Sequence, residues 1–117
     1  MGTAFNEKID LTKYRGRVIV VDIDGVLAVE DNTIPLADRQ VVSDAKEALK
    51  LLKQKGYILV LLTSRVRQQE KETIEWLIHH HIPFDDILFG KPRGILYIDD
   101  RGYRFRDWKQ FLEDVEI

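Results

Sequence analysis

Two carboxylates follow an apolar run near the start of the chain. The stretch RVIVVDIDG places Asp22 and Asp24 two residues apart, with Gly25 directly after them. In an extended chain, residues two apart point to the same face and lie about 6 to 7 Å from each other. Ionised carboxylates at this spacing repel, so the pair calls for a cation or a shared proton, unless it only forms a turn after a strand, where Asp and Gly are common. The spacing therefore predicts a small site for an ion or a charged ligand.

Further polar residues follow two other apolar runs. Thr63, Ser64 and Arg65 come after YILVLL, and Asp99 and Asp100 come after ILYI. Ligands of a parallel sheet bind outside the carboxyl ends of its strands. We therefore expect these groups to meet the first aspartate pair at one edge of a sheet.

Together these side chains would suit a metal ion and a phosphate group. The two aspartate pairs form a hard oxygen cluster of the kind that binds Mg²⁺, which needs only one or two direct carboxylates. The Thr63 hydroxyl, backbone N–H groups, Lys91 and the arginines would bind an anion. The site is thus predicted to combine Mg²⁺ with a phosphorylated ligand.

The apolar patterns predict an α/β fold, a Rossmann-like domain with a mostly parallel sheet flanked by helices. The β-branched run Val18 to Val21 is typical of a strand buried on both faces. Asp44 and Glu47 occupy capping-box positions at the start of an amphipathic helix. The predicted order is strand 18–21, helix 44–55, strand 57–62, helix 68–80, strands DILF and ILYI, and helix 107–115.

Length and composition predict one domain over residues 1–117, with an N-terminal extension at 1–16 and a short flap at 26–42. The formal net charge of -2 shows no basic excess, so nothing favours nucleic acid as a partner, although it stays open. The chain has no cysteine, which excludes a disulfide framework and Cys-ligated zinc. No apolar run is long enough for a membrane span or a signal core, so we expect a cytoplasmic protein without membrane contact.

The motifs in order resemble those of the haloacid dehalogenase-like (HAD-like) phosphohydrolases. The order is D-x-D-G, an apolar strand ending in Thr, a Lys, and an apolar strand ending in Asp-Asp, over about residues 17–101. The resemblance implies catalytic roles for Asp22, Asp24, Thr63 and Lys91. Asp22 would take the phosphoryl group as an aspartyl phosphate, and Asp24 would be the general acid and base.

The resemblance also implies a metal site and a substrate site. Asp22, Asp24, Asp99 and Asp100 would bind Mg²⁺, Asp24 through its backbone carbonyl. Beside the resemblance, Ser64, Arg65 and Arg101 are predicted to contact the substrate because they follow strand ends, with ordinary surface charge as the alternative for Arg101. The implied activity is hydrolysis of a small phosphomonoester, sugar phosphates among them.

The flap is too short for the cap domain that many members of this family carry. Only 18 residues separate Asp24 from Ser43, so the chain resembles a small capless member. Such a site is open, so a polynucleotide end or a protein phosphate is an alternative substrate. A neighbouring copy in a homo-oligomer could supply the missing lid.

Two further alternatives stay open from the sequence. Only Pro92, Arg93 and Gly94 separate Lys91 from the predicted strand ILYI, so Arg65 is the alternative source of positive charge. A non-catalytic phosphate-binding protein or a receiver-like signalling domain uses similar residue types. A receiver domain has them in a different order, with its acidic pair before the acceptor aspartate.

Overall fold

The computed structural model describes residues 8–117 as an α/β domain. In that part of the chain the strands and helices are β1 Ile9–Asp10, β2 Val18–Val21, α1 Ala45–Gln54, β3 Ile58–Leu62, α2 Glu70–His79, β4 Asp86–Leu88, α3 Trp108–Asp114 and β5 Val115–Glu116. Short 3₁₀ turns lie at Thr12–Tyr14, Leu36–Asp38 and Arg67–Gln69. The alternation of strands and helices confirms the predicted fold class, and the flap adds no cap domain.

The strands β2, β3 and β4 form a parallel sheet in that order, with β3 in the centre. Val20 of β2 is level with Val60 of β3, and Val60 is level with Asp86 of β4. A separate parallel pair joins β1 to β5. Part of the predicted N-terminal extension thus contributes a strand, while residues 1–7 lie outside the described residues.

Helix α1 covers the sheet with the face that its sequence pattern predicts. Ala45, Ala48, Leu49 and Leu52 are fully buried. The predicted capping box is absent, because the Asp44 side chain makes no capping bond. Asp44 has a φ of 65°, whereas a capping side chain reaches the helix from an extended backbone.

Helix α2 is rotated relative to the predicted apolar stripe. Thr73, Trp76 and Leu77 are buried, whereas Ile78 is 63% exposed. The Trp76 indole N–H donates to the carbonyl of Arg39 in the flap at 2.8 Å. This bond and the large ring fix which face of α2 turns inward.

Helix α3 begins at a side-chain cap and is anchored by aromatic residues. The Asp107 carboxylate accepts a bond from the N–H of Gln110 at 2.7 Å. Trp108 and Phe111 are buried, and the Trp108 indole donates to the carbonyl of Val26 at 2.8 Å. Within residues 8–117, none of the helices has the length and apolar composition to cross a bilayer.

Two strand predictions need correction. The β2 strand forms, but it lies at an edge of the sheet, with Val18 and Val20 53% and 57% exposed. The predicted strand ILYI is an exposed loop, with Ile95 and Ile98 at 108% and 95% exposure. The connection between Lys91 and this segment is too short for the segment to pair with the free edge of β2.

Candidate active site

A tight turn directly after β2 presents the first aspartate pair. The Ile23 carbonyl accepts backbone N–H bonds from Val26, Leu27 and Ala28 at 3.2, 2.8 and 3.0 Å. Gly25 has a φ of +84°, a left-handed backbone conformation that residues with a side chain rarely adopt. The turn leaves the two carboxylates at the carboxyl end of the strand.

Asp22 is both fixed and accessible. Its Oδ1 accepts the backbone N–H of Ile23 at 2.8 Å. Its Oδ2 lies 3.4 Å from the Lys91 ammonium, and 37% of the side chain is exposed. An approaching electrophile can therefore reach a carboxylate oxygen that has a cation beside it.

Backbone bonds between two loops position Lys91. The N–H groups of Thr63 and Lys91 donate to the carbonyls of Leu88 and Thr63, each at 2.9 Å. The N–H of Gly90, whose φ is +83°, donates to the carbonyl of Arg65 at 3.0 Å. The loops after β3 and β4 are thus joined, and this joint directs Lys91 toward Asp22.

Asp24 is held by two arginines. Its Oδ1 accepts from Arg65 Nη2 at 2.8 Å and from Arg39 Nη1 at 3.2 Å. Its Oδ2 accepts from Arg65 Nε at 3.0 Å, which makes the Arg65 contact bidentate. Arg65 is only 2% exposed and also donates to the Thr73 hydroxyl at 3.0 Å. A charged network therefore fixes the orientation of Asp24.

The other predicted residues of the β3 loop lie deeper than Asp22. The Thr63 side chain is fully buried, and its hydroxyl oxygen accepts the N–H of Arg65 at 3.1 Å. Ser64 is half-buried. Arg65, expected to bind substrate or to replace Lys91, is instead bonded to Asp24 and Thr73. Lys91 is the cation that the structure brings to Asp22.

The second aspartate pair is not brought to this site within one chain. Asp99 and Asp100 lie on the exposed loop, where Asp99 Oδ1 accepts the backbone N–H of Arg101 at 2.8 Å. Arg101 is exposed as well. Across residues 8–117, no three His, Cys, Asp or Glu side chains are placed to share a metal ion. The predicted four-carboxylate magnesium cluster therefore does not fit a single chain in this conformation.

One residue of the site, Arg39, is not predicted from the sequence. Besides its contact with Asp24, its Nε donates to the carbonyl of Ile34 in the flap at 3.2 Å. Its own carbonyl accepts the Trp76 bond described above. A single arginine in a flap has no spacing that marks it, so the sequence offered no signal for this role.

The base of the flap is a short two-sided ladder. The N–H of Val29 donates to the carbonyl of Gln40, and the N–H of Val42 donates to the carbonyl of Leu27, each at 2.8 Å. The two ends of the flap are therefore held together before the chain enters α1.

Two ionisable side chains anchor neighbouring elements of the domain to each other. The Asp85 carboxylate accepts from Lys53 Nζ and from the N–H of Leu59, each at 2.7 Å, and these bonds lower its pKa. Burial and the hydrogen bond to Asp114 raise the pKa of Tyr103 to about 12. The first anchor ties β4 to β3, and the second ties residue 103 to α3.

The sequence profile of the family described as PITM 1-3, LNS2 domain, matches residues 19–117. The crystal structure of a Vibrio cholerae protein is similar over 81% of this chain and 86% of that chain, with 32% identity and a TM-score of 0.68. No curated protein matches the chain.

Two less similar structures share the fold. A chain of the Pnkp1/Rnl/Hen1 complex matches 71% of this chain and 31% of its own length, at 22% identity and a TM-score of 0.59. D,D-heptose 1,7-bisphosphate phosphatase from B. bronchiseptica, complexed with magnesium and phosphate, matches 74% of this chain and 54% of its own length, at 18% identity and a TM-score of 0.53. The family match over residues 19–117 shows that the chain belongs to the LNS2 domain family.

Proposed function

We propose that the protein is a Mg²⁺-dependent phosphomonoester hydrolase that acts through an aspartyl-phosphate intermediate on a small phosphorylated metabolite. The observation that carries the proposal is the exposed Asp22 carboxylate, 3.4 Å from the Lys91 ammonium, with Asp24 two residues further on. A nucleophile, a neutralising cation and a second carboxylate are the groups that a two-step phosphoryl transfer needs.

In the first step, an Asp22 carboxylate oxygen attacks the phosphorus. The bond from phosphorus to the substrate oxygen breaks, and that oxygen takes a proton from Asp24. Lys91 lies where it can offset the negative charge that Asp22 and the phosphoryl group bring together. The products are the free alcohol and a phosphorylated Asp22.

In the second step, water attacks the phosphorus of the aspartyl phosphate. Asp24, now ionised, takes a proton from this water, and the bond from phosphorus to Asp22 breaks. Inorganic phosphate leaves, and both carboxyl groups return to their starting states. Asp24 Oδ2 accepts one guanidinium bond, so a lone pair remains for the proton in each half-reaction.

The Mg²⁺ requirement is the part of the proposal that one chain does not supply. Asp22 and Asp24 lie at the sheet edge, whereas Asp99 and Asp100 lie on an exposed loop. Both steps are therefore written with Asp22, Asp24 and Lys91 alone. Carboxylate oxygens remain the ligands that Mg²⁺ prefers.

The site is open enough to admit phosphorylated substrates of different sizes. The flap has no cap domain, and 37% of the Asp22 side chain is exposed. A fold neighbour at 18% identity is a sugar bisphosphate phosphatase, so sugar phosphates are the first substrates to try. A second neighbour belongs to an assembly described as an RNA repair complex, so a polynucleotide 3′- or 5′-phosphate is the second.

The test is a hydrolysis assay on p-nitrophenyl phosphate, sugar phosphates and a phosphorylated oligonucleotide, with Mg²⁺ and with EDTA. We expect turnover with Mg²⁺ and its loss in EDTA. Asp22→Asn should abolish turnover, a loss of about 10⁴-fold or more, and should prevent any covalent phosphoenzyme.

Asp86→Asn is the matched control. Asp86 also accepts the backbone N–H of the following residue at 2.8 Å, but it starts β4 instead of following β2. Normal rates in this variant would show that a lost local carboxylate bond does not explain the Asp22 result. Near-normal rates in Asp22→Asn would overturn the mechanism, and turnover in EDTA would overturn the metal requirement.

A further inference from the structure

An exposed apolar arm projects from the domain between two anchored points. We define the arm as residues 92–102, all of which are exposed. Its apolar core, Ile95–Ile98, has side chains between 53% and 108% exposed. Lys91 anchors one end through the β3 loop, and Tyr103 anchors the other through Asp114. Contiguous exposed apolar residues of this kind mark a surface that binds a partner.

The contacts that hold the arm in place are few. The Tyr97 ring lies 4.4 Å from the Lys91 ammonium, and its hydroxyl donates to the carbonyl of Pro92 at 2.6 Å. The same hydroxyl oxygen accepts the N–H of Gly94 at 3.2 Å. None of these contacts covers the apolar side chains of Ile95 or Ile98.

The sheet has an open edge at which a further strand can pair. In the part of the chain that the structure describes, β2 pairs with β3 alone, so its other side offers unpaired backbone groups. The strand consists of β-branched residues, and Val18 and Val20 are more than half exposed. The opposite edge strand, β4, carries the exposed Asp86, and a charge of this kind discourages pairing.

The arm of the same chain cannot reach the β2 edge while Lys91 stays in the site. Four residue steps from Lys91 to Ile95 extend at most about 14 Å. A strand parallel to β2 would start about 13 Å back along the sheet and about 10 to 14 Å sideways, a direct distance of at least about 16 Å. The path around the sheet is longer still, so another molecule must supply the strand.

We propose that Ile95–Ile98 of a second copy of this chain pairs with β2 as a parallel strand and carries that copy's Asp99 and Asp100 to the Asp22 edge. The metal-binding part of this inference rests on the proposed function, and the pairing does not. The arrangement is reciprocal, so two copies complete each other's sites around a two-fold axis.

The register and the area both suit this pairing. Parallel pairing that sets Asp99 beside Asp22 also sets Ile95 beside Val18. Burial of both arms against both edges would remove on the order of 1,500 Å² from water, the usual size of a stable protein interface. The pair would bring the missing carboxylates to Asp22, which a single chain does not do.

Disulfide trapping tests the pairing without any assay of activity. The natural chain has no cysteine, so an equal mixture of Val18→Cys and Ile95→Cys has one possible cross-link between different variants. Neighbouring strands lie about 4.8 Å apart, within disulfide range. We expect a covalent dimer in this mixture and none when Leu88→Cys, on the opposite sheet edge, replaces Val18→Cys.

A chain carrying both Val18→Cys and Ile95→Cys separates the two possible directions of docking. Covalent dimers and higher species support exchange between copies. An intramolecular disulfide in a monomer would overturn the proposal, since the arm would then dock on its own sheet.

Sedimentation of the full chain measures the same pairing without cysteines. We expect a dimer for the natural sequence and a shift of at least tenfold toward dissociation in Ile98→Asp. Ile78→Asp, at an exposed position on α2, should leave the dimer intact. The measurement extends to 100-fold above the assay concentration, roughly the millimolar range in which even very weak complexes form. A natural chain that stays monomeric there would overturn the pairing.

Mixing inactive variants tests the shared site. Asp22→Asn and the double variant Asp99→Asn/Asp100→Asn should each be inactive alone. When they are co-expressed, half of the pairs are mixed and each mixed pair has one intact site, so about a quarter of the natural activity should return. A mixture that stays inactive would overturn the transfer of the two aspartates. If the natural protein hydrolyses nothing, the proposed function fails, while trapping and sedimentation still decide the pairing.

Discussion

The loops that hold Asp22, Asp24 and Lys91 differ sharply from the arm that holds Asp99 and Asp100. The loops are joined by backbone bonds, and Asp24 is 13% exposed with three charged hydrogen bonds. The arm is fully exposed and is held by the contacts of one tyrosine. Both regions carry motifs that resemble those of the same family. Only the loops are packed against the rest of the domain.

The difference follows from how each region reaches its place. The packed loops follow neighbouring strands of one sheet, so the sheet itself brings them together. The arm would have to cross the whole sheet with a connection that is too short. The loops of the site can therefore be fully formed while Asp99 and Asp100, which would follow a further strand of the sheet, do not reach it.

After Asp22→Asn, the largest effect on the packed side should come from Asp24→Asn, which keeps the shape of the side chain but removes the acid and base. We expect kcat to fall by a factor of order 10² to 10⁴. The loss should be greater for an alkyl phosphate than for p-nitrophenyl phosphate, whose leaving group needs less protonation. Asp38→Asn, at an exposed carboxylate in the flap, is the control, and a loss below threefold in Asp24→Asn would contradict the role.

Lys91→Ala should have the next largest effect. Loss of one preorganised charge at a reacting phosphoryl group costs about 3 to 4 kcal/mol, or about 10² to 10³ in kcat. Lys109→Ala, at an exposed lysine of α3, should keep the natural rate. If Lys91→Ala stays within threefold of the natural kcat, another group neutralises the charge.

Arg65→Ala should lower the free energy of unfolding because Arg65 belongs to the packed region. It removes a guanidinium that is 2% exposed and leaves Asp24 and Thr73 without their main partner, at a cost of about 3 kcal/mol. Arg67 is 83% exposed and pairs with Glu70, so Arg67→Ala should cost less than about 0.5 kcal/mol. Urea unfolding of the two variants measures the difference, and equal losses would show that the network adds no stability.

The smallest effect concerns the anchor at the end of the arm. Because the folded protein raises the pKa of Tyr103 from 10.0 to about 12, its contribution to stability is complete below pH 10 and is lost as the pH rises toward 12. Tyr103→Phe should therefore flatten the loss of stability over this range. Melting temperatures at pH 9, 10 and 11 check this, and parallel curves for the two proteins would contradict it.

Patterns of apolar residues predicted most of the fold. The stripe Ala45, Ala48, Leu49 and Leu52 identified the buried face of α1, and the run at 18–21 identified β2. The position of β2 at an open edge and the exposure of ILYI were not predictable from periodicity. An apolar run specifies what can be buried, whereas the length of its connections decides where it can go.

The candidate site was predictable to the extent that it follows strand ends. Asp22, Asp24, Thr63 and Lys91 lie together because each follows a strand of one parallel sheet. The sequence could not distinguish an arginine that faces a substrate from one that faces a carboxylate, so Arg65 was expected at the substrate. Arg39 was missed because its role depends on the path of the flap, which no local pattern encodes.

The closed base of the flap has a consequence for how this domain can be enlarged. The bonds at Val29 and Val42 hold the two ends of the flap together whatever lies between them. The cost of closing a longer loop grows only with the logarithm of its length. A folded module inserted at the exposed tip, between Asn32 and Thr33, should therefore leave the contact of Arg39 with Asp24 in place. We therefore expect a single insertion at this tip to add a cover over the site without disturbing it.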